Sequence, residues 1–293
     1  MTETQNGLPG SPGAGPILSV RNARYVYPRG DVVALEEISV DVPVGQSLGI
    51  VGQNGSGKTT LTKLMNGLLR PTSGSVIVDD LDTARHPVQV LAAHVGYVFQ
   101  NPNHQLFAPT VADELAFGPR NIGVPEAEIA ERVAEATEFF RLGDILTLHP
   151  YRISFPLRKL VGIASIFTMR PKVFILDEPT TGQDHRTTNT INRLIHELVD
   201  RGSTVICVAH DMPLLADVSE RLIVMWNARL IADGTPREVF ADRAVMERTH
   251  LAPPQITQFS MQLPGREGRA PALSLDELVA EYRTPGRLAG KEA

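Results

Sequence analysis

Cysteine, basic charge and long apolar runs are scarce in this 293-residue sequence, and each scarcity excludes a class of protein. The single cysteine, Cys207, excludes an internal disulfide framework and fits a reducing compartment. The formal net charge is −5 and no basic stripe runs along the chain, which argues against a nucleic-acid-binding protein. No apolar stretch approaches the roughly 18 residues that a membrane-spanning helix needs.

Apolar residues nevertheless make up 42% of the chain, which is enough to bury a sizeable core. Residues 1–16 are rich in glycine and proline and lack the basic and apolar segments of a signal peptide, so we expect a flexible tail there. Residues 17–250 alternate between strand-like and helix-like patterns and are predicted to form one domain. Within it, residues 100–169 are predicted to form a helical insertion. Residues 251–293 are predicted to be a partly disordered C-terminal extension.

A glycine-rich run at residues 52–60, Gly-Gln-Asn-Gly-Ser-Gly-Lys-Thr-Thr, fully matches the pattern G-x-x-x-x-G-K-[ST]. Glycines permit the tight turns by which successive backbone N–H groups curl around a phosphate at a helix N-terminus. Lys58 adds a positive charge for the β- and γ-phosphates, and Thr59 offers a hydroxyl to Mg²⁺. A strand-like segment precedes the run and a helical one follows it, as this motif requires, so we predict ATP and Mg²⁺ as ligands. The predicted nucleotide contacts are Gly52, Asn54, Gly55, Ser56, Gly57, Lys58, Thr59 and Thr60.

Several short apolar runs predict the strands of the fold. Residues 47–51, 173–176 and 204–209 are uninterrupted apolar segments, as expected of parallel strands that are covered on both faces. Residues 17–27 and 32–42 instead carry β-branched and aromatic residues on either side of a turn. The predicted fold class is α/β: a P-loop NTPase core with a mainly parallel sheet, an antiparallel N-terminal β subdomain and a helical subdomain.

Two adjacent carboxylates, Asp177 and Glu178, follow the apolar run at residues 173–176. An aspartate there can hold the Mg²⁺ that bridges the phosphates, and a second carboxylate can orient the attacking water. Many strands end in this way, so the pair gains its meaning from the P-loop upstream. His210 and Gln100 also follow predicted strands. His210 could reach the γ-phosphate and the Gln100 carbonyl oxygen could bind Mg²⁺ or water, whereas a structural histidine and an ordinary loop glutamine are the alternatives.

The order of these motifs resembles that of ABC-type ATPases over residues 17–240. The resemblance implies that Glu178 is the catalytic base and that His210 is the switch histidine. It also implies that Gln100 is the Q-loop glutamine and that Lys58 serves catalysis. The residues that carry the resemblance are the P-loop, Gln100, Asp177, Glu178, Asp184 and His210.

The same resemblance implies where the ligands are held. Thr59, Gln100 and Asp177 would bind Mg²⁺. Tyr27 would stack its ring on adenine, because an aromatic face binds a base without reading its edges. The alternative for Tyr27 is a tyrosine that simply covers the sheet.

A narrower resemblance follows from residues 99–107, Phe-Gln-Asn-Pro-Asn-His-Gln-Leu-Phe, and continues through residues 110–121. Both segments, and residues 251–255, are similar to the ATPase subunits of energy-coupling-factor (ECF) importers and of their cobalt- or nickel-importing relatives. The resemblance implies an ATPase that works in pairs beneath a membrane scaffold (T-type) protein, peripheral on the cytoplasmic face of the cell membrane. A separate membrane component would capture the substrate, a vitamin or a metal ion, and no nucleic-acid partner is expected.

The sequence departs from the family pattern at the signature loop. Where the family has L-S-G-G-Q, residues 153–157 read Ile-Ser-Phe-Pro-Leu, so that Ser154 alone matches. In an ABC dimer this loop caps the γ-phosphate of the nucleotide on the partner subunit. Phe155 adds bulk where glycine permits close approach, and Pro156 removes one N–H donor. A helix is still expected, because Ser154 is a good N-cap and proline is tolerated in the first turn.

A preorganised donor is typically worth about 3 kcal/mol of barrier, so we expect the site that this loop caps to hydrolyse ATP poorly or not at all. A homodimer would carry that defect twice, yet Lys58, Glu178 and His210 are all present. The simplest interpretation is an asymmetric heterodimer with a second ABC ATPase that has an intact signature. Two alternatives stay open. One is a regulatory or structural ABC subunit that binds ATP with little turnover, and the other is a soluble ABC ATPase of translation or DNA repair.

Overall fold

A computed structural model describes residues 15–28, 30–266 and 268–283. Residues 1–14 of the predicted flexible tail and residues 284–293 of the predicted C-terminal extension lie outside these ranges. The strands are β1 (Leu18–Tyr27), β2 (Val32–Val42), β3 (Ser47–Gly52), β4 (Ser73–Val78), β5 (Leu81–Asp82), β6 (Val95–Val98), β7 (Val173–Asp177), β8 (Thr204–Val208), β9 (Arg221–Trp226) and β10 (Arg229–Gly234). The helices are α1 (Lys58–Met65), α2 (Val88–Leu91), α3 (Val111–Asn121), α4 (Glu126–Phe140), α5 (Phe155–Phe167), α6 (His185–Asp200), α7 (Met212–Val218), α8 (Pro236–Ala241), α9 (Arg243–Thr249), α10 (Gln255–Gln262) and α11 (Leu275–Arg283).

The larger sheet has the strand order β10-β9-β3-β8-β7-β6, and every neighbouring pair is parallel except β10 with β9. Strands β3, β7 and β8 are buried along their whole length. Successive residues of β7 face opposite layers: Ile175 packs in the core shared with α1 and the smaller sheet, whereas Phe174 and Leu176 pack with α5 and α6. The prediction of a mainly parallel, doubly covered sheet is therefore confirmed, and the loops that follow these strands meet at one edge.

The smaller sheet is antiparallel, with the strand order β2-β1-β4-β5. Val20 of β1 faces Val40 of β2 on one side and Val76 of β4 on the other. All three side chains are buried in the core that also contains Leu61 and Leu64 of α1. The predicted N-terminal pair of strands is thus extended by β4 and β5, which lie after the P-loop in the sequence.

Three helices, α3, α4 and α5, lie within residues 100–169. Ser154 occupies the N-cap position of α5, but its side chain makes no capping hydrogen bond. The expected helix with Ser154 at its N-cap is therefore confirmed, although the side-chain hydrogen bond that usually favours serine there is not made. Pro156 in the first turn supplies a φ that already suits a helix, so α5 can begin without that bond. No helix in the described part of the chain is long and apolar enough to cross a bilayer.

The described part of the C-terminal extension includes α10 and α11. The guanidinium of Arg237, on α8, contacts the backbone oxygen of Pro271 and the carboxylate of Glu277 on α11. Between the two helices, Ala272 N donates to Ser260 Oγ over 3.0 Å. The contacts of Arg237 join the extension to the end of the domain that carries α8, whereas the Ala272–Ser260 bond lies within the extension.

Candidate functional site

The P-loop connects the end of β3 to the start of α1, and its glycines are required by the backbone. Gly52 has φ 153° and Gly57 has φ 106°. A Cβ atom at Gly52 would lie 2.3 Å from Met225 O, and one at Gly57 would lie 2.4 Å from Ala34 O. Both φ angles lie where side chains are strained, and neither position has room for a side chain. The loop therefore keeps a close turn at the N-terminus of α1, where N–H groups can face an anion.

Lys58 lies inside this loop. Its Nζ donates to Gly52 O over 2.8 Å and to Gln53 O over 2.9 Å. Burial lowers the pKa of Lys58, against the opposing effect of the charges on Glu178 and Asp177. The ammonium is thus held by two backbone carbonyls on the strand side of the loop, and its third N–H is left to donate to a phosphate.

The tip and helix side of the P-loop contain the other predicted nucleotide contacts. Asn54 and Gly55 are exposed at the tip. Ser56 Oγ is buried and has no hydrogen-bond partner within the described chain. Tyr27, at the end of β1, is partly exposed, and its hydroxyl lies 3.1 Å from Oγ1 of Thr60. An aromatic face therefore stands beside the first turn of α1, as the interpretation of Tyr27 as an adenine contact requires.

The two predicted Mg²⁺ ligands from the P-loop and from β7 lie together. Thr59 Oγ1 is 3.4 Å from Asp177 Oδ1. The other carboxylate oxygen, Oδ2, accepts a hydrogen bond of 2.8 Å from the hydroxyl of Tyr97. Burial raises the pKa of Asp177, against the hydrogen bonds from Tyr97 and Thr59. Hydroxyl and carboxylate oxygens are ligands that Mg²⁺ prefers, so this corner fits that ion.

The predicted catalytic side chains also come together, around the carboxylate of Glu178. Its Oε2 accepts from Gln100 Nε2 over 2.7 Å and from Thr181 Oγ1 over 3.0 Å. Its Oε1 lies 3.3 Å from His210 Nε2. Glu178 has φ 48°, in the left-handed region, and its N–H donates to Val208 O of β8 over 2.8 Å. An unfavourable backbone conformation at a converging set of polar groups is typical of a functional site.

Gln100 is placed differently from a simple metal ligand. Its amide nitrogen is bonded to Glu178, and its backbone carbonyl accepts from Lys159 Nζ over 2.7 Å. The preceding carbonyl, of Phe99, accepts from the same ammonium over 3.0 Å. Gln100 is therefore tied to the catalytic carboxylate by its side chain and to α5 by its backbone.

Lys159, Tyr97 and Thr181 belong to the site, but the sequence pattern did not single them out. Lys159 is 1% exposed, and burial lowers its pKa to about 8, against the charges of Asp177 and Glu178. A lysine inside the apolar helix 155–167 was the available signal for it. Tyr97 stands in the short apolar strand β6, and Thr181 follows Glu178 by three residues. Neither position carries a pattern that distinguishes it from structural residues.

The predicted degenerate signature lies at the N-terminus of α5. The Phe155 ring is partly exposed and faces the loop after β7, with Cε1 3.5 Å from the point where a Cβ on Gly182 would lie. Asp184, in the same loop, accepts from Thr187 N over 2.8 Å and caps α6. A cavity of about 550 Å³ adjoins this region. Ser154, Pro156, Leu157, Asp184, Arg186 and Arg193 are among the residues that line it.

The chain is similar to known proteins in sequence and in fold. Residues 35–181 match the family described as ABC transporter. The chain is 40% identical over 241 residues to the energy-coupling factor transporter ATP-binding protein EcfA of Methanothermobacter thermautotrophicus, and the match covers 82% of this chain and 77% of that relative. It is also 40% identical over 264 residues to a protein of Caldanaerobacter subterraneus subsp. tengcongensis, where it spans 90% of its own length and 45% of the relative's.

A solved structure gives the same result. CbiO1 of Clostridium perfringens, described as part of the ABC transporter complex CbiONQ, matches with a TM-score of 0.69 and 35% identity, over 81% of this chain and 96% of that one. The P-loop and the paired carboxylates lie within residues 35–181, which match the family. The chain therefore belongs to the ABC transporter family and is an ABC-type ATPase, similar to the ATP-binding subunits of energy-coupling-factor transporters.

Proposed function

We propose that this chain is the ATP-hydrolysing subunit of an ECF-type membrane import complex, bound peripherally at the cytoplasmic face of the cell membrane. The observation that carries the proposal is the convergence of Gln100, Thr181 and His210 on Glu178, next to a complete P-loop. A chain that only bound nucleotide would not need these groups around a carboxylate. The likeness to EcfA and CbiO1 supports the membrane-import setting.

In the proposed reaction each side chain has a defined task. Thr59, Asp177 and Gln100 would hold Mg²⁺, which neutralises charge on the β- and γ-phosphates. Lys58 donates its remaining N–H to the phosphates. Glu178 orients the attacking water and accepts its proton.

His210 lies 3.3 Å from the other carboxylate oxygen of Glu178 and would contact the γ-phosphate. The side chain of Tyr27 would stack on adenine and so position the nucleotide along α1. These tasks are positioning and charge neutralisation, which are the main means of catalysis in phosphoryl transfer.

The subunit works as one half of an asymmetric heterodimer. The catalytic groups for its own nucleotide are present, whereas the loop that it offers to a partner has Phe155 and Pro156 in place of two glycines. A second ABC ATPase with an intact signature would complete the site at Glu178. The site that residues 153–157 cap would turn over slowly, because Pro156 has no N–H to donate.

The complex also needs membrane components: a T-type scaffold and a component that captures a vitamin or a metal ion such as cobalt or nickel. An apolar groove supports contact with a scaffold. Phe107 is 60% exposed and meets Phe117 edge to face, with ring centroids 4.6 Å apart. The two rings line a cavity of about 480 Å³ together with Ile122 and Met169. A helix of the scaffold's cytoplasmic side would dock there, close to the segment that begins at Gln100.

The second candidate function is an ATP-binding subunit with little turnover, and the altered signature is the observation that favours it. The test measures ATP hydrolysis by the purified chain alone, by the chain with a paralogous ATPase, and by the pair with its scaffold in liposomes. We expect negligible turnover alone and robust turnover in the complex, abolished by Glu178→Gln. Robust turnover by the chain alone would refute the heterodimer, and no turnover in any assembly would favour the second candidate.

Attachment to the membrane is tested separately. Sedimentation with membranes is expected only when the scaffold is co-produced, and Phe107→Asp should abolish it. Recovery of the unaltered chain in the soluble fraction both with and without the scaffold would argue against an import complex.

A further inference from the structure

The hydroxyl of Tyr97 lies behind the metal-binding corner of the nucleotide site. Tyr97 is on β6, next to β7, and is 6% exposed. Its ring packs edge to face against Phe99, with centroids 4.9 Å apart. The hydroxyl reaches Oδ2 of Asp177 at 2.8 Å and Oγ1 of Thr62 at 3.2 Å. It therefore joins the end of β7 to the helix that follows the P-loop.

The direction of the bond to Asp177 follows from the chemistry of the pair. An ionised carboxylate only accepts hydrogen bonds, so the phenol must donate. Thr62 Oγ1 also lies 3.1 Å from Thr59 O and can donate to that carbonyl or to the phenol oxygen. In either arrangement the phenol keeps its proton and donates it in the hydrogen bond to Asp177.

This bond decides which oxygen of Asp177 is available. Oδ2 is occupied by Tyr97, whereas Oδ1 faces the Thr59 hydroxyl at 3.4 Å. Without the phenol, the carboxylate could rotate about its terminal torsion, which has broad minima. Groups that hold a metal ligand in place typically change metal affinity by about 10–100-fold when they are removed.

We propose that Tyr97 is a positioning residue for Mg²⁺, which turns Oδ1 of Asp177 toward Thr59 so that both oxygens face the ion. The proposal rests on the proposed Mg²⁺-dependent function of this site. A purely structural tyrosine would instead stabilise the fold without changing the affinity for metal.

The test compares Tyr97→Phe with wild type and with Tyr282→Phe, a matched change on the exposed side of α11. Mn²⁺ binding to the full chain in the presence of ATP is followed by electron paramagnetic resonance. Binding of a fluorescent ATP analogue is measured in EDTA. We expect Mn²⁺ binding to weaken about 10-fold or more in Tyr97→Phe. The metal-free affinity for the analogue should stay unchanged, and Tyr282→Phe should match wild type in both.

A double-mutant cycle with Asp177→Asn isolates the interaction. Adding Tyr97→Phe to Asp177→Asn should cause no further loss of Mn²⁺ affinity, because the phenol acts through that carboxylate. Additive losses would overturn the proposal, as would equal Mn²⁺ affinity in Tyr97→Phe and wild type. If Tyr97→Phe does not fold, Tyr97→Met fills the space with a flexible apolar chain and is assayed in the same way. Failure of the wild type itself to bind Mn²⁺ with ATP would instead refute the proposed function.

Discussion

In an ABC dimer the P-loop and the signature loop both approach a phosphate, but in this chain the first has glycines at its tight positions and the second has bulkier residues. At the P-loop, Gly52 and Gly57 occupy positions where no Cβ would fit. At the signature loop, Phe155 and Pro156 stand where the family has glycines. In the proposed function the first region is an intact loop for the chain's own nucleotide, whereas the second is a signature loop that lacks an N–H donor and carries a ring. The two composite sites of a dimer therefore need not be equal, and their difference can be tested from either side.

The largest expected effect comes from replacing Glu178, the proposed base of the site that contains the intact P-loop. In the complex with a competent partner, Glu178→Gln should lower turnover by about 100-fold or more, because an amide does not accept the proton of the attacking water. Affinity for ATP should stay within about twofold, since the P-loop is unchanged, and filter binding with labelled ATP measures it. Glu220→Gln, an exposed change of the same kind, is the control. Retention of half the activity in Glu178→Gln would show that another group serves as the base.

Repairing the altered region should have the opposite effect. The double change Phe155→Gly and Pro156→Gly restores close approach and one N–H, so the chain alone should gain about 100-fold in steady-state ATPase activity as a homodimer. Phe155→Ala, which leaves Pro156 in place, should recover much less. An unchanged rate in the double variant would mean that the signature loop is not what limits the isolated chain.

A contact between the signature helix and the segment at Gln100 runs through Lys159. Its ammonium joins the signature helix α5 to the carbonyls of Phe99 and Gln100. Lys159→Met should lower turnover in the complex by about tenfold, because Gln100 loses a charged backbone anchor worth more than about 1.4 kcal/mol. Lys172→Met, at the opposite end of β7, should leave turnover unchanged. If Lys159→Met is as active as wild type, this contact does not couple α5 to Gln100.

A smaller effect is expected at the second donor to Glu178. Thr181→Val keeps the shape of the side chain but removes the hydroxyl that donates to Oε2 over 3.0 Å. The rate in the complex should fall about threefold, as expected for one hydrogen bond near the surface. Thr181→Ser keeps the hydroxyl and should restore the rate. Equal rates in the valine and serine variants would remove Thr181 from the site.

The smallest expected effect is the absence of thiol labelling at Cys207, which checks that the variants keep the fold. Cys207 is fully buried in β8, and burial raises its pKa to about 12. The native thiol should not react with Ellman's reagent at pH 8, whereas the unfolded chain should react at once. Variants at residues 155–156 should stay as unreactive as wild type. Fast labelling of a variant would show that its change in activity comes from a loosened sheet.

Features that depend on residues close together in the sequence were predictable, whereas contacts between residues far apart in the sequence were not. The P-loop, the carboxylates after β7 and the histidine after β8 were predictable, because each is a short motif next to an apolar strand. Parallel strands bring their carboxyl ends to one edge, so chain order already implied that these groups meet. The start of α5 at Ser154 was predictable as well, whereas the missing side-chain capping bond was not, because the helix start is compatible with Pro156 alone.

The sequence by itself determined the ATPase family and the fold class, since glycine spacing and apolar runs are local properties of the chain. Only the tertiary structure decided which side chains hold those motifs in place. Tyr97 reaches Asp177 across 80 residues because β6 and β7 are neighbours in the sheet. Lys159 reaches Gln100 because α5 packs against the end of β6. Such contacts depend on strand order and on helix packing, which no local pattern specifies, because they are decided by how the whole core buries its apolar surface.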